Sequence, residues 1–194
     1  MSRIILDLCG GTGAWSDPYR TAGYDVRLVT LPDGDVLTYE PPADVHGILA
    51  APPCTEFARV GARWWPNKSP KLLSNAIAIV RRCLALAEQC VPAWWCLENP
   101  IGRIVECVPE LGKPVFKCDP CDFGDAWTKR MWLWGRFTAP LPLFSPSAVP
   151  VDPKFAEHQP PRRRDRTSMM SSSWRVQRSQ TSAAFARAFF EANP

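Results

Sequence analysis

A cysteine stands where an apolar segment of the chain meets two prolines. The segment Gly47-Ile48-Leu49-Ala50 runs into Ala51-Pro52-Pro53-Cys54, and proline fixes the backbone while removing a hydrogen-bond donor. A strand must therefore end there, and the next residue is presented on a stiff turn. A thiolate in such a position is a nucleophile suited to covalent catalysis. Taken alone, however, a cysteine of this kind is more often a buried structural thiol.

A carboxylate and a glycine-rich turn stand in comparable positions. Trp94-Trp95-Cys96-Leu97 is a second apolar segment and ends in Glu98-Asn99-Pro100. Glu98 alone would fit a helix-capping acid, but beside a thiolate a carboxyl group can act as a general acid. Near the N-terminus the chain passes from a strand into Cys9-Gly10-Gly11-Thr12-Gly13, where the backbone could approach a ligand closely. This spacing disfavours a dinucleotide site, and a plain tight turn remains an alternative.

Apolar segments alternate with helical ones along the chain. Apolar runs predict strands over residues 3–8, 26–29, 46–51, 94–97 and 131–134, and helices are predicted over 15–22, 69–89 and 182–192. The predicted buried face of the longest helix is Leu72, Leu73, Ala76, Ile77, Val80, Cys83, Leu84 and Ala87. This alternation predicts an α/β fold with a mostly parallel sheet flanked by helices and ligand loops at its carboxyl edge. A single domain over residues 1–194 is expected for this length.

Composition and cysteine usage bound the class of protein. Hydrophobic residues make up 46% and charged residues 22% of the chain, as in ordinary globular proteins. No stretch approaches the roughly 20 apolar residues of a membrane span, and the N-terminus leads into a strand rather than a signal peptide, so we expect a cytoplasmic protein without membrane contact. The eight cysteines are expected to be reduced. Four of them have apolar neighbours and are predicted core residues: Cys83, Cys90, Cys96 and Cys107. The lone pair Cys118 and Cys121 is weak evidence for zinc, and no metal is expected.

In their order along the chain, these segments resemble the cytosine-C5 DNA methyltransferase family. Asp7–Gly13 resembles the turn that holds the methionine part of S-adenosylmethionine, with Cys9 in place of an aromatic residue. Pro53–Ala58 resembles the family's Pro-Cys-x-x-Phe-Ser motif, whose cysteine adds to cytosine C6. Gly34-Asp35-Val36 resembles the element whose aspartate binds the adenine amino group, and Arg178–Ser182 resembles the C-terminal motif that closes the cofactor pocket. The resemblance implies a Rossmann-like, S-adenosylmethionine-dependent methyltransferase fold.

Individual roles follow from the resemblance. The implied catalytic residues are Cys54, Glu98, Arg130 and Lys129, and the implied cofactor-binding residues are Asp7, Gly10, Gly11, Gly13, Asp35, Pro53 and Thr181. The chain departs from the family at Trp127–Trp132, where Thr128 and Trp132 replace the glutamine and the second arginine of Gln-x-Arg-x-Arg. Lys129 or Arg130 would then hold the base O2. Val29-Thr30-Leu31 also lacks the usual ribose-binding acid, for which Asp33 is a substitute.

The chain also departs from the family in the region that recognises the substrate. Family members carry a separate target-recognition domain, whereas residues 135–180 form a reduced substitute rich in proline and arginine. Residues 154–187 contain eight basic and two acidic side chains, a balance that suits a polyanion. The predicted nucleic-acid contacts are Arg162, Arg163, Arg164, Arg166, Arg175 and Trp64. The resemblance thus implies methylation of a flipped cytosine in double-stranded DNA with short or relaxed sequence specificity, as in short phage-encoded members, in a bacterial or phage-infected cell.

Other functions fit parts of the same pattern. The cysteine and glutamate would equally serve an enzyme that methylates cytosine in tRNA or in free nucleotides, although the arginine cluster disfavours the free nucleotides. From a different class, the chain could be a non-catalytic nucleic-acid-binding subunit that needs a specificity partner. Such a protein partner is compatible with the sequence but not required by it.

Overall fold

A six-stranded sheet forms the centre of this computed structural model, which describes residues 2–125, 129–142 and 180–194. Its strands are β1 (Ile4–Leu8), β2 (Asp25–Val29), β3 (Val45–Ala50), β4 (Trp94–Pro100), β5 (Phe116–Cys118) and β6 (Met131–Arg136). Their spatial order is β2-β1-β3-β4-β6-β5. The first four neighbours are parallel, and β6 is antiparallel to both β4 and β5. Five strands therefore share one direction, and the predicted α/β fold with a mostly parallel sheet is confirmed.

Helices cover both faces of the sheet. They are α1 (Asp17–Thr21), α2 (Pro70–Cys90), α3 (Ile104–Cys107) and α4 (Ala183–Ala192), with 3-10 helices at Arg59–Asn67, Pro109–Leu111 and Pro120–Phe123. On one face α2 buries Val80 and Leu86 against strand residues that include Ile48. Pro70 begins this helix at a position where its missing N–H costs no hydrogen bond. Within the described residues, no helix is long and apolar enough to cross a membrane.

The opposite face of the sheet is covered by α1 and α4 through aromatic contacts. Trp15 lies with its ring centroid 5.4 Å from that of Phe189 in an edge-on arrangement, a geometry that aromatic rings favour. The Tyr19 hydroxyl donates to the carbonyl of Asn193 at 2.9 Å. The C-terminal helix is thus tied to the segment that follows the glycine-rich turn.

The chain order reverses at β1, which lies between β2 and β3. In open α/β sheets, ligands bind outside the carboxyl ends of the strands at such a switch point. The amide of Ala51, just after β3, donates to the carbonyl of Leu8 at 2.9 Å. The glycine turn after β1 and the cysteine turn after β3 therefore lie side by side at this edge.

Several expectations about the elements need correction. Strand β4 continues to Pro100 rather than ending at Leu97, because its last residues pair with β6 in the antiparallel direction. Leu72 is 57% exposed rather than buried. It lies in the first turn of α2, and the buried positions of this helix begin only at Ala76.

The cysteines and the short elements also differ from the expectation. Cys83 and Cys96 are buried as predicted, whereas Cys90 and Cys107 are only half-buried. Both lie at the C-terminal ends of helices, where the side chain is covered on one side only. Strand β5 and the 3-10 helices were not predicted.

Candidate active site

The turn that carries Cys54 is closed by its own backbone. The Cys54 carbonyl accepts hydrogen bonds from the amides of Phe57 at 2.9 Å and Ala58 at 2.8 Å. Phe57 is fully buried and anchors the turn, while the Cys54 thiol is half-buried at the carboxyl edge of the sheet. Pro52 is buried and Pro53 is exposed, so the two prolines lead the chain out of the sheet as the sequence predicts.

Hydrogen bonds join this turn to the end of β4. The side-chain amide of Asn99 donates to the Pro52 carbonyl at 3.0 Å. The amides of Arg59 and Arg103 donate across the two segments to the carbonyls of Ile101 and Phe57, at 2.8 and 3.0 Å. The cysteine turn and the glutamate strand end are therefore one hydrogen-bonded unit, although 43 residues lie between Cys54 and Glu98.

Gly102 is where the two segments come closest. A Cβ at this position would lie 1.9 Å from the Phe57 carbonyl oxygen, so Gly102→Ala must push two backbones apart. We expect the substitution to lower the free energy of unfolding by about 2–3 kcal/mol, measured by urea denaturation. Gly61→Ala is the matched control, because its Cβ would meet an atom only at 3.9 Å. Equal unfolding midpoints for the two variants would contradict the expectation.

Glu98 is a buried carboxylate beside a lysine. Its side chain lies where β3 no longer pairs with β4, since that ladder ends at Leu97. The residue is 8% exposed, and its Oε1 has no hydrogen-bond partner among the described residues. The Lys129 Nζ lies 3.7 Å from Oε1 of Glu98, so the two groups form an ion pair without a hydrogen bond.

Arg130 points away from Glu98: its Nε lies 2.7 Å from Oδ2 of Asp119, and its side chain is 56% exposed. Of the two predicted basic residues, Lys129 is the one that faces Glu98.

Opposing charges act on the Cys54 thiol. Burial and the carboxylate of Glu98 raise the pKa of Cys54, while the ammonium groups of Lys129 and Lys68 lower it. The thiol pKa stays above its usual value on balance, so the two lysines limit the cost of forming a thiolate here. Lys68 is a functional candidate that was not predicted from the sequence. The one sequence feature that could have indicated it is a lysine 14 residues after Cys54.

The glycine turn after β1 is tight and partly open. Gly11 and Gly13 have φ values of +58° and +75°, which glycine adopts without strain. A Cβ at Gly10 would lie 2.2 Å from Oδ1 of Asp7, whereas a Cβ at Gly11 would meet no described atom within 4 Å. The turn therefore lies directly on the Asp7 carboxyl group and leaves open space above Gly11.

Asp7 is fully buried beneath this turn. Ser16 donates to its Oδ2 at 2.6 Å, and its Oδ1 has no hydrogen-bond partner within the described part of the chain. Burial raises the pKa of Asp7 to about 6, against the hydrogen bond from Ser16 and the charge of Arg20. The predicted role of Asp7 in cofactor binding remains a prediction, and its position is one of support from below the turn.

The raised pKa of Asp7 predicts a pH dependence of stability. Because the native pKa of about 6 exceeds the usual value of 3.8, the native state binds more protons than the unfolded state between these pH values. The contribution of Asp7 to the free energy of unfolding should therefore fall by about 2 kcal/mol as the pH rises from 4 to 6. Asp7→Asn should remove this fall in urea denaturation, whereas the exposed Asp33→Asn should keep it. Parallel pH profiles for the wild type and Asp7→Asn would refute the assignment.

Two other predicted cofactor residues lie on neighbouring segments. Asp35 is exposed in the turn after β2, and its Oδ1 accepts a hydrogen bond from the Leu37 amide at 3.0 Å. A hydrogen bond with Cys83 lowers the pKa of Cys9, while burial and the charges of Asp7 and Asp35 oppose this change. The next residue, Val36, is buried in the core cluster against which Cys9 packs. Thr181 is half-buried and directly precedes Ser182, the N-cap of α4.

The predicted nucleic-acid contacts divide into two groups. Trp64 is 55% exposed in the 3-10 helix Arg59–Asn67, and the Arg63 guanidinium lies 4.9 Å from its ring centroid. Its neighbour Trp65 is half-buried, with the Arg103 guanidinium 4.5 Å from its ring. The other predicted contacts lie outside the described residues: Arg162, Arg163, Arg164, Arg166 and Arg175. Most of the predicted recognition region 135–180 lies outside them as well.

The residues at the carboxyl edge fit a cofactor of the predicted kind. S-adenosylmethionine carries positive charge on its sulfonium and ammonium groups, and Asp7 and Asp35 supply negative charge at the glycine turn. The unpaired Oδ1 of Asp7 and the open space above Gly11 are consistent with a ligand there. In residues 2–125, 129–142 and 180–194, no group of three or more His, Cys, Asp or Glu side chains could hold a metal ion.

Two solved structures resemble this chain at low sequence identity. No protein-family model and no curated protein matches this chain. A solved structure of a protein assigned as a DNA modification methyltransferase, encoded within an E. coli prophage, superposes with a TM-score of 0.46 and 17% identity over 70% of this chain and 47% of that one. A methyltransferase of Entamoeba histolytica superposes with a TM-score of 0.42 and 12% identity over 72% of this chain and 54% of that one. The chain spans about half the length of these two proteins.

Proposed function

We propose that this chain is an S-adenosylmethionine-dependent methyltransferase that acts on cytosine C5 in double-stranded DNA. The observation that carries the proposal is the joining of the Cys54 turn to the end of β4, with the Glu98–Lys129 pair beside the thiol. A nucleophile, an acid and a cation are what conjugate addition to a pyrimidine ring needs. The adjacent glycine turn and its two carboxylates suit the cofactor.

The residues of the chain divide the chemistry between them. Sγ of Cys54 adds to C6 of the cytosine, and Glu98 holds the N3 edge so that negative charge does not accumulate on the ring. Lys129 would hold the O2 edge of the cytosine, a role for which Arg130 was the other candidate in the sequence. Bound S-adenosylmethionine would supply the electrophilic methyl group that the activated C5 takes up. Transfer of the C5 proton to solvent then allows Sγ to leave as thiolate, and return of the N3 proton to Glu98 restores the aromatic ring.

Duplex DNA is the proposed substrate because residues 59–71, which follow the cysteine turn, contain four basic side chains and no acidic one. The 3-10 helix Arg59–Asn67 has no acidic side chain and exposes Trp64, which could stack on a base or fill the space it leaves. A cytosine must leave the helix to reach Cys54. Since phosphate contacts position the protein and base contacts specify the site, a short recognition region predicts short or relaxed specificity.

The test is transfer of a labelled methyl group from S-adenosylmethionine to unmethylated duplex DNA, tRNA and free dCTP in parallel. We expect label in 5-methyldeoxycytidine from the duplex, with base-resolved sequencing giving the length of the site. A duplex with fluorine at cytosine C5 has no C5 proton to lose, so it should trap the adduct on the peptide that contains Cys54. Label in tRNA alone would move the substrate to RNA. Cofactor binding without any transfer would favour a subunit that needs a specificity partner.

A further inference from the structure

Lys68 directly follows the 3-10 helix Arg59–Asn67 and reaches back to the cysteine turn. Its Nζ lies 3.0 Å from Oε1 of Glu56 and donates a hydrogen bond to the Thr55 carbonyl. The two charged side chains are only 18% and 11% exposed. Charge-assisted hydrogen bonds in such a setting are stronger than those in water and hold their partners in one geometry.

The turn is tied to the same helix at a second point. The Nε of Arg103 donates to the carbonyl of Glu56 at 3.0 Å, and the Arg103 guanidinium lies over the ring of Trp65. Contacts thus run from Glu56 to the helix through Lys68 and through Arg103. Cys54 lies two residues before Glu56, so both contacts act on the turn that carries it.

The charges that face Cys54 come from three elements. Glu98 is on β4, Lys129 is on the segment before β6, and Lys68 follows the 3-10 helix. Both lysines are paired with a carboxylate, Lys129 with Glu98 and Lys68 with Glu56. Lys68 is the one whose Nζ also bonds the carbonyl of Thr55, the residue that follows Cys54.

We propose that Lys68 is a positioning residue that holds the Cys54 turn against the 3-10 helix and keeps a cation beside the thiol. The proposal rests on the proposed function in so far as Cys54 is the nucleophile. The contacts of Lys68 with Glu56 and Thr55 account for its low exposure, because a lysine with no such role in a surface loop keeps its ammonium group in water.

Alkylation of Cys54 by iodoacetamide as a function of pH tests the proposal, read out for each cysteine by peptide mass spectrometry on the full chain. Lys68→Met is expected to move the midpoint for Cys54 to higher pH by a measurable fraction of a pH unit, and Lys68→Arg should restore most of the shift. Lys71→Met is the matched control, because Lys71 is exposed three residues further along. It should leave the midpoint unchanged.

An unchanged Cys54 midpoint in Lys68→Met would overturn the proposal. If the buried Cys83 and Cys96 also become reactive, that variant has lost its fold, and Lys68→Gln decides instead. This variant keeps a donor for the Thr55 carbonyl without the charge, and a midpoint equal to that of the wild type would overturn the proposal. Alkylation needs neither DNA nor cofactor. A shifted midpoint in a protein that methylates nothing would therefore refute the proposed function and leave the role of Lys68 intact.

Discussion

Cys54→Ala is expected to abolish methyl transfer to DNA, a loss on the order of 10⁴-fold or more. Alanine cannot form the bond to C6, and without that bond C5 of cytosine is too weak a nucleophile. The fold should survive, because the turn is held by backbone hydrogen bonds and by the burial of Phe57 rather than by the thiol. Binding of S-adenosylmethionine at the glycine turn should also persist.

The measurement combines labelled methyl transfer with calorimetric titration of the cofactor. Cys107→Ala is a suitable control, because Cys107 is also half-buried but lies at the end of α3. It should keep the wild-type rate. Transfer by Cys54→Ala at a rate within tenfold of the wild type would exclude covalent catalysis by this residue. Loss of transfer together with loss of cofactor binding would indicate structural damage instead.

Glu98→Gln is expected to lower kcat by about 10²-fold or more. The amide has the same shape and can still donate a hydrogen bond, but it cannot transfer a proton to the ring. The substitution also leaves Lys129 without the carboxylate that it faces. Because the Glu98 charge raises the pKa of Cys54, its removal should move the Cys54 alkylation midpoint to lower pH.

Glu98→Gln should thus slow turnover while making the thiol easier to ionise, and this combination makes the test specific. A general disturbance of the site would lower kcat without making the thiol easier to ionise. Steady-state methylation and alkylation profiles of the same preparations measure both effects. Glu106→Gln is the matched control, since Glu106 is exposed on α3 and neither quantity should change. A wild-type kcat for Glu98→Gln would remove Glu98 from the mechanism.

The cysteine turn and the glycine turn could be predicted because their signals are local. Two prolines end β3 whatever the rest of the chain does, and the glycines after β1 accept the left-handed backbone found at Gly11 and Gly13. The alternation of strands and helices likewise follows from apolar periodicity within each segment. Parallel strands then bring their carboxyl ends to one edge.

Elements with weak local signals were missed or misjudged. Strand β5 has only three residues, and the 3-10 helix Arg59–Asn67 contains a proline and no buried side chain. The extension of β4 to Pro100 depends on pairing with β6, which no pattern within residues 94–100 reveals.

Local patterns in the chain were enough to predict the α/β class, the parallel direction of most strands and the three segments of the proposed site. That Lys129 rather than Arg130 faces Glu98, and that Lys68 reaches the cysteine turn, follows only from the packing of separate elements. Burial periodicity is a property of one segment and can be read within it. The ion pairs at the site join side chains from different elements, and strand pairing and turn geometry alone bring them within reach.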